Sequence, residues 1–374
     1  MKATLHYFWR DKVFVIAMIF ALISLLFFPP TIDTFHAINP NVLVIMFSLM
    51  IAVSGMTEAN LFSKIAIFLT SRFFTVRYVG LAIIIATFFM GMLLTNDAVL
   101  LTLVPFSLFV MRQTDNTRYS LTIVILMTFA ANMGSALTPM GDPQNIFLYQ
   151  FYNLDFGEFL LATLPIALSA FVLIIAVTCA LLPNRFIKPV MISPKVDQKR
   201  VAIGLIIFIL VLLLIIRIIP PWVVFAGAFL LTISFYPHLF KKVDYPLLLT
   251  FVSFFILTHN LGNWTWLMEK TQVLLKSPWS VYLSALGFSQ VMSNVPASVL
   301  LATFTEKTYW RYLLQGVNVG SMGSIIASLA SLITFKFVIR EFPSQMKAYL
   351  QLYTTLGLIF MGLISLLLVI TNGI

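Results

Sequence analysis

Long apolar runs, separated by short polar or charged stretches, make up most of this chain. A helix needs about 20 mostly apolar residues to cross a bilayer. The pattern therefore predicts an all-α polytopic membrane protein. The predicted spans cover residues 13–28, 41–56, 119–152, 159–182, 201–216, 222–236, 247–261, 312–335 and 349–370. Residues 61–71 are too short to cross, and their Lys64 suits an amphipathic helix lying in the membrane interface.

One further apolar run, residues 79–111, carries Thr95, Asn96 and Asp97 at its centre. An Asp at bilayer depth costs about 2.5–3.5 kcal/mol on insertion scales, so it marks a candidate functional site. Basic residues, which mark cytoplasmic loops, stand on both sides of the run. They are Lys64, Arg72 and Arg77 before it and Arg112 and Arg118 after it. We therefore predict a re-entrant hairpin at about 77–112, open to the cytoplasm, whose two half-helices meet at residues 95–97.

The span at 119–152 is predicted to be discontinuous. Gly134, Pro139, Gly141 and Pro143 fall close together near its centre, and both residue types break helices. Asp142 in the same segment is a second acid at membrane depth, although Gly-Asp-Pro is also a common turn. Broken backbone at that depth survives only where it lines a cavity in the protein.

The second half of the chain repeats this order of parts. Residues 279–305 are interrupted at Ser293 and Asn294, and the span at 312–335 is interrupted around Asn318 and Gly320. The charge pattern opens this second hairpin to the outside, so the halves are predicted to be inverted repeats. The predicted units are 1–183, with the first hairpin and broken span; 184–244, a linker and paired spans; and 245–374, with the second hairpin and broken span. Many secondary transporters are built this way.

Composition narrows the classes further. Apolar residues make up 60% of the 374 positions and charged residues 10%, whereas soluble domains carry about 25% charged residues. The continuous apolar runs exclude an outer-membrane barrel. The net charge of +10 does not indicate nucleic-acid binding, because most of the 23 basic residues fall in loops on one face. That face is cytoplasmic by the positive-inside rule, so we expect a cytoplasmic N-terminus and a bacterial inner membrane.

The broken helices supply the chemistry of a binding site. Half-helix N-termini suit an anion, whereas unwound carbonyls suit Na⁺, and an Asn amide can do either. Glycines let the backbone approach a ligand. The candidate substrate- or ion-binding residues are Thr95, Asn96, Asp97, Asn132, Gly134, Ser135, Thr138, Asp142, Asn145, Ser293, Asn294, Asn318, Gly320 and Ser321. The candidate Na⁺ ligands among them are Thr95, Asn96, Asp97 and Asn294.

Asp97 and Asp142 are the two acids predicted deep in the membrane, and no Lys or Arg is predicted at that depth. Buried acids need a cation, a proton or hydrogen-bond donors. We therefore expect coupling to Na⁺ or H⁺, and we expect no resident cofactor. Cys179 is the single cysteine, which leaves no disulfide and no thiolate metal site.

These motifs resemble the ion transporter superfamily, which holds divalent-anion:sodium symporters, citrate transporters, arsenite efflux permeases and one class of Na⁺/H⁺ antiporters. The resemblance extends over nearly the whole chain and is greatest to short bacterial anion permeases. It is carried by TNDAVLLTLVPF, ANMGSALTPMGDPQN, SNVPAS and GVNVGSMGS. It implies a scaffold part and a transport part that move by an elevator-like shift, commonly in a homodimer.

In the dicarboxylate symporters that this sequence resembles, each hairpin tip carries Ser-Asn-Thr, which holds a substrate carboxylate and helps to bind Na⁺. The two predicted hairpin tips of this chain depart from that pattern. Asp97 and Val295 stand at the third positions, adding a negative charge at one tip and losing a hydroxyl at the other. Asn-Asp is closer to arsenite permeases and Na⁺/H⁺ antiporters. We expect secondary transport of a small anion or oxyacid, di- or tricarboxylate-like or arsenite-like, coupled to Na⁺ or H⁺.

The sequence pattern also bears on three other functions. The alternative on the same scaffold is a Na⁺/H⁺ antiporter. An intramembrane enzyme is disfavoured, because the four histidines fall near loop ends and the HExxH and GxSxG motifs are absent. Inverted broken helices favour alternating access over a channel.

Overall fold

The computed structural model describes residues 11–188 and 194–372. Residues 1–10, part of the N-terminus that is predicted to be cytoplasmic, lie outside these ranges. The helices up to residue 181 are α1 (Lys12–Phe27), α2 (Ile32–His36), α3 (Pro40–Glu58), α4 (Leu61–Thr70), α5 (Val76–Leu93), α6 (Asn96–Gln113), α7 (Ser120–Ala136), α8 (Pro143–Phe151) and α9 (Phe156–Leu181).

The later helices follow the linker. They are α10 (Gln198–Ile215), α11 (Pro221–Phe235), α12 (Tyr245–Gly262), α13 (Thr265–Leu274), α14 (Pro278–Met292), α15 (Asn294–Phe304), α16 (Trp310–Gly320), α17 (Leu329–Glu341) and α18 (Met346–Asn372). Short 3₁₀ turns connect several of them, and an isolated antiparallel bridge joins Thr75 to Phe186. The prediction of an all-α membrane protein is confirmed.

Seven helical segments within the described ranges are long and apolar enough to cross a membrane, by length and composition. They are Ile32–Glu58, Val76–Leu93, Thr117–Ala136, Phe156–Leu181, Gln198–Ile215, Tyr245–Gly262 and Pro343–Ile370. The sequence predicts nine spans, whereas seven segments meet these criteria. Helices α1 and α11 reach only 16 and 15 residues, and the predicted span at 312–335 is divided between α16 and α17.

Helix α5 runs for 18 residues, from Val76 to Leu93. Thr75 is its N-cap residue, and the Thr75 side chain accepts a hydrogen bond from the Tyr78 N–H. Two residues separate the end of the helix from Asn96, so it ends close to the place where the sequence predicts a break.

Helix α7 lies at the centre of the structure and is the most buried of the seven segments. It packs against α5, and α16 packs in the same way against α14. A glycine permits close approach in each pair: a Cβ on Gly134 would overlap the Phe88 carbonyl oxygen, and one on Gly316 would lie 2.6 Å from that of Tyr282. In both helix pairs, a glycine allows the backbones of two helices to pack closely.

Contacts between the halves cross in a matched way. Helix α6 packs against α17, and α15 packs against α8. Each helix that follows an interruption in one half thus lies against a helix that follows an interruption in the other half. Arg112 at the end of α6 also forms an ion pair with Glu341 at the end of α17.

A second group of helices surrounds α3, which packs against α10 and α11, while α1 packs against α12. The carboxylate of Glu58 joins three elements here. It lies 3.1 Å from Arg200 Nη1, 2.8 Å from His238 Nε2 and 3.4 Å from Lys242 Nζ. Large apolar side chains on the outer faces of α1, α9 and α11 are exposed, among them Leu26 and Leu161, as expected of surfaces that face lipid.

We predict that Gly316→Ala destabilises the protein, because the new methyl group meets the backbone of α14 and cannot be relieved by a side-chain rotation. Overpacking of this kind costs about 1–3 kcal/mol, measured as a lower unfolding temperature in detergent. Gly287→Ala on α14 is the matched control, since a Cβ there has nothing within 4 Å. Equal unfolding temperatures for the two variants would contradict the packing assigned to Gly316.

Candidate functional site

Four helices begin directly after an interruption of an apolar run. Helix α6 starts at Asn96 and α15 at Asn294, whereas Asp142 and Ser328 are the N-cap residues of α8 and α17. A helix N-terminus presents N–H groups without intrahelical partners and the positive end of the helix dipole. The four interruptions therefore share a preference for acceptor atoms and negative charge.

Asn96 ties the first interruption to the second. Its Nδ2 donates to Asp142 Oδ2 at 2.8 Å and to Asn132 Oδ1 at 3.1 Å. Its Oδ1 accepts from the Asp97 N–H at 2.8 Å, and its own backbone N–H donates to the Gly141 carbonyl at 3.1 Å. The side chain is buried and its amide orientation is fixed by donors and acceptors on both sides.

Asn132 on α7 connects the first half of the chain to the second. Its Oδ1 accepts from Asn96, while its Nδ2 donates to the Ser321 carbonyl at 3.3 Å and to Ser328 Oγ at 3.2 Å. Ser321 and Ser328 bound the unwound stretch between α16 and α17. One buried amide therefore bridges the interruption before α6 and the interruption before α17.

A second pair of amides joins the two broken helices. Asn318 Nδ2 donates to Asn145 Oδ1 at 2.9 Å, and Asn145 Nδ2 donates to the Ser135 carbonyl at 3.1 Å. Gln144 Nε2 lies 3.5 Å from Asn318 Oδ1. Helices α8 and α16 are thus connected through side chains that are almost completely buried.

The interruption between α14 and α15 is strained at Ser293, whose φ is 76°. A non-glycine residue pays on the order of 1–3 kcal/mol for such a conformation, and this strain clusters at functional sites. Ser293 Oγ lies within hydrogen-bond distance of Asn294 Oδ1 and the Ala327 carbonyl. Gln290 Nε2 donates to the Gly320 carbonyl at 2.7 Å, so this interruption also contacts the unwound stretch before α17.

Two buried polar atoms, one at each tip, have no hydrogen-bond partner among the described residues. They are Asp97 Oδ1 and Asn294 Nδ2. No hydrogen bond in the described parts of the chain joins the Asn294 side chain to Asn96 or Thr95. The first tip thus offers a free acceptor and the second a free donor, and both atoms can bind a ligand.

The two deep acids lie at helix N-termini, Asp97 in the first turn of α6 and Asp142 at the N-cap of α8. Neither forms a salt bridge with a described residue. The carboxylates of Asp142 and Asp244 lie within electrostatic range of Asp97. The helix dipoles partly offset the negative charge. No group of three or more His, Cys, Asp or Glu side chains that could hold a metal ion occurs in the described ranges.

Gly134 and Gly320 have packing roles in this structure. The space beside Gly134 is filled by the Phe88 backbone, and a Cβ on Gly320 would lie 2.9 Å from that of Ser289. Neighbouring helices therefore occupy the room that the sequence had suggested for close approach of a ligand.

Three predicted hydroxyls are engaged with backbone. Ser135 Oγ donates to the Asn132 carbonyl at 2.9 Å, and Ser321 Oγ donates to the Asn318 carbonyl at 2.6 Å. Thr138 Oγ1 donates to the Met92 carbonyl. No side-chain hydrogen bond of Thr95, which is half-buried, occurs in the described contacts.

Sequence reasoning missed Gln290, Ser328, Ser331 and Tyr353, all of which join the network around the interruptions. Ser328 and Ser331 have the spacing of a helix cap, which could have drawn attention to them. Gln290 is a polar residue one turn before Ser293. Tyr353 lies in a long apolar run and gave no signal of its own.

Comparison with known proteins assigns the chain to a family. A family model described as a citrate transporter, CitMHS, matches residues 10–309, which is most of the chain and includes the interruptions before α6, α8 and α15. The chain belongs to the citrate transporter family.

Similarity to individual proteins agrees with this assignment. The transporter is 30% identical over 312 residues to the uncharacterized transporter MJ0456 of Methanocaldococcus jannaschii, covering 81% of this chain and 82% of the relative. It is 29% identical over 309 residues to the inner membrane protein YbiR of Escherichia coli, covering 80% of each chain. A shorter match, 26% over 122 residues, covers 33% of this chain and 21% of the putative transporter arsB of Dictyostelium discoideum.

The fold is similar to that of the Alcanivorax borkumensis YdaH transporter. The TM-score is 0.56 at 15% sequence identity, covering 93% of this chain and 88% of that one. The protein is therefore a multi-pass membrane transporter, and its family is not an enzyme family.

We predict that Asn145→Ala and Asn318→Ala are not additive in their effect on stability. Each variant removes the same interhelical hydrogen bond, and a typical bond contributes about 0.5–1.5 kcal/mol. The double variant should therefore lose less than the sum of the single losses, measured by unfolding in detergent. Losses that add to within about 0.3–0.5 kcal/mol would show that the two amides act independently.

Proposed function

We propose that this transporter is a cation-coupled secondary active transporter of a small anion or oxyacid, with its binding site at the four interruptions. The observation that carries the proposal is the continuous set of hydrogen bonds that connects them. Asn96 reaches Asp142, Asn132 reaches Ser328, and Ser293 lies within hydrogen-bond distance of the segment between.

Inverted repeats make sense of this arrangement. Helix pairs α5–α6 and α14–α15 each flank a break of one or two residues, and each contacts the broken helix of its own half. We propose that both pairs are re-entrant hairpins that open to opposite faces, the first to the cytoplasm. The crossed packing of the halves and the close packing at a glycine in each of α7 and α16 support this proposal.

The chemistry of the tips supports an anionic or oxygen-rich substrate held beside a cation. Helix N-termini attract negative charge, and Asn294 Nδ2 is a free donor. Asp97 Oδ1 is a free acceptor that can bind a proton or contribute one oxygen to Na⁺. Because Asn96 Oδ1 already accepts from the Asp97 N–H, Na⁺ at the first tip needs further oxygens from unwound backbone or from the substrate.

A Na⁺/H⁺ antiporter on the same scaffold is the second candidate function. The observation that favours it is the pair of acids, Asp97 and Asp142, which lack a basic partner among the described residues. An anion would have to bind close to two carboxylates, whereas protons and Na⁺ are attracted to them.

We further propose that transport occurs by an elevator-like shift of the hairpins against α3, α10 and α11. In this proposal the protein is a homodimer in the cell membrane with a cytoplasmic N-terminus.

Reconstitution into liposomes separates the candidates. Purified protein is tested with imposed Na⁺ or proton gradients and with citrate, succinate or arsenite outside. Gradient-driven uptake of one of these compounds supports the symporter. A pH change inside the liposomes in response to Na⁺, without any of them, supports the antiporter, and no response to any gradient contradicts both.

We predict that Asp97→Asn abolishes gradient-driven transport while the protein still reaches the membrane and purifies as a single species. The amide keeps the shape of the side chain but removes the charge that binds a coupling cation or proton. The matched control is Asp115→Asn, which changes an exposed acid at the far end of α6. Wild-type transport rates in Asp97→Asn would remove this residue from the coupling mechanism.

A further inference from the structure

A line of buried hydroxyl groups leads away from Asn132 towards the last helix. Asn132 Nδ2 donates to Ser328 Oγ at 3.2 Å. Ser328 Oγ lies 2.7 Å from Ser331 Oγ, which lies 2.6 Å from the Tyr353 hydroxyl on α18. Ser328, Ser331 and Tyr353 are each 1% exposed or less. The proposed function does not use Ser331 or Tyr353.

The hydrogen positions along this line follow from counting donors and acceptors. Ser328 Oγ already accepts from Asn132 Nδ2 and from the Ser331 N–H at 3.1 Å. A hydroxyl has two acceptor sites and one donor, so its hydrogen is donated to Ser331 Oγ. Ser331 Oγ accepts that hydrogen and lies 2.6 Å from the Tyr353 hydroxyl. The amide group of Asn132 is the first donor of this line.

The Asn132 amide has one orientation that satisfies its partners. The Ser321 carbonyl can only accept, so the Asn132 nitrogen faces Ser321 and Ser328 and its oxygen faces Asn96 Nδ2. Asn96 is then held with its nitrogen towards Asp142 and its oxygen towards the Asp97 N–H. The position of the amide at the first tip is therefore linked to α18 through Ser328 and Ser331.

A parallel line holds the same three helices together one turn away. Thr128 Oγ1 on α7 lies 3.0 Å from Thr334 Oγ1 on α17, and Thr334 lies 3.1 Å from the Tyr349 hydroxyl on α18. Residues three or four apart on a helix share a face, which is why these positions form a second line beside the first. The arrangement fixes α18 against both α7 and α17.

We propose that Tyr353 is a positioning residue for the substrate and ion site. Its hydroxyl holds Ser331 and Ser328 in place and, through them, the position of Asn132 and hence of Asn96. Its role as part of a transport mechanism rests on the proposed function, whereas its support of the tip does not. The hydrogen bonds of Tyr353 in the described residues reach the first tip only through these intervening side chains.

The test compares Tyr353→Phe with Tyr282→Phe. Both replacements remove one buried hydroxyl and keep the ring, and Tyr282 also bonds to a serine, Ser365 on α18, at 2.7 Å. That second bond has no connection to Asn132. Hydrogen–deuterium exchange is measured on peptides covering residues 91–98 and 128–136. Tyr353→Phe is expected to raise exchange there about threefold to tenfold, and Tyr282→Phe to leave it unchanged.

Ser331→Ala provides the second variant. It breaks the line one residue closer to the site and should raise exchange at 91–98 at least as much, with no further increase in the double variant Ser331→Ala/Tyr353→Phe. Unchanged exchange at 91–98 in both single variants, or equal increases in Tyr353→Phe and Tyr282→Phe, would overturn the proposal.

Transport adds a readout that separates this proposal from the proposed function. For whichever of citrate, succinate or arsenite the wild type takes up, Tyr353→Phe should raise the KM severalfold with a smaller change in kcat. Absence of uptake in the wild type would count against the proposed function alone, because the exchange measurement still decides the role of Tyr353. A wild-type KM together with wild-type exchange in Tyr353→Phe would contradict the role proposed for Tyr353.

Discussion

Hydrocarbon offers no water to satisfy the peptide groups of a broken helix, so a membrane protein tolerates such breaks only where protein groups replace the water. This chain interrupts its apolar helices before α6, α8, α15 and α17. Asn132 supplies the main connection, because its single amide satisfies Asn96 on one side and the unwound stretch ending at Ser328 on the other. The rest of the centre is arranged so that this amide can reach both partners: glycine contacts bring α5 against α7, and crossed packing brings α17 against α6.

The same breaks explain how two acids can lie deep in the protein without a basic partner among the residues that the structure describes. Asp97 and Asp142 are each placed at the start of a helix, where free N–H groups and the helix dipole favour negative charge, and Asn96 adds a donor to Asp142. This compensation is incomplete, because Asp97 Oδ1 has no partner in the described residues. A site built in this way is suited to a mobile cation or proton, whose arrival completes the charge balance.

The sequence predicts the places where the helices break, because Asn, Gly, Pro and Asp stand out within apolar runs. The length and polarity of the apolar runs predict α4 and the two paired helices α10 and α11. The sequence does not predict partners: the spacing of Ser328 and Ser331 indicates only a helix cap, and Tyr353 carries no signal of its own. The importance of these residues comes from helices that meet only in three dimensions. Gly134 shows the opposite error, since a glycine beside an interruption suggests ligand approach, but the Phe88 backbone fills that space.

We propose that all four interruptions line one binding site. Single cysteines are placed at Thr95, Thr138, Ser293 and Ser324, one at each interruption, in a Cys179→Ala background, and the rate of alkylation is measured with and without Na⁺ and the transported compound. One shared site predicts that ligand slows alkylation at all four positions while a cysteine at Asp115 reacts at an unchanged rate. Protection confined to the positions of one half would contradict the claim.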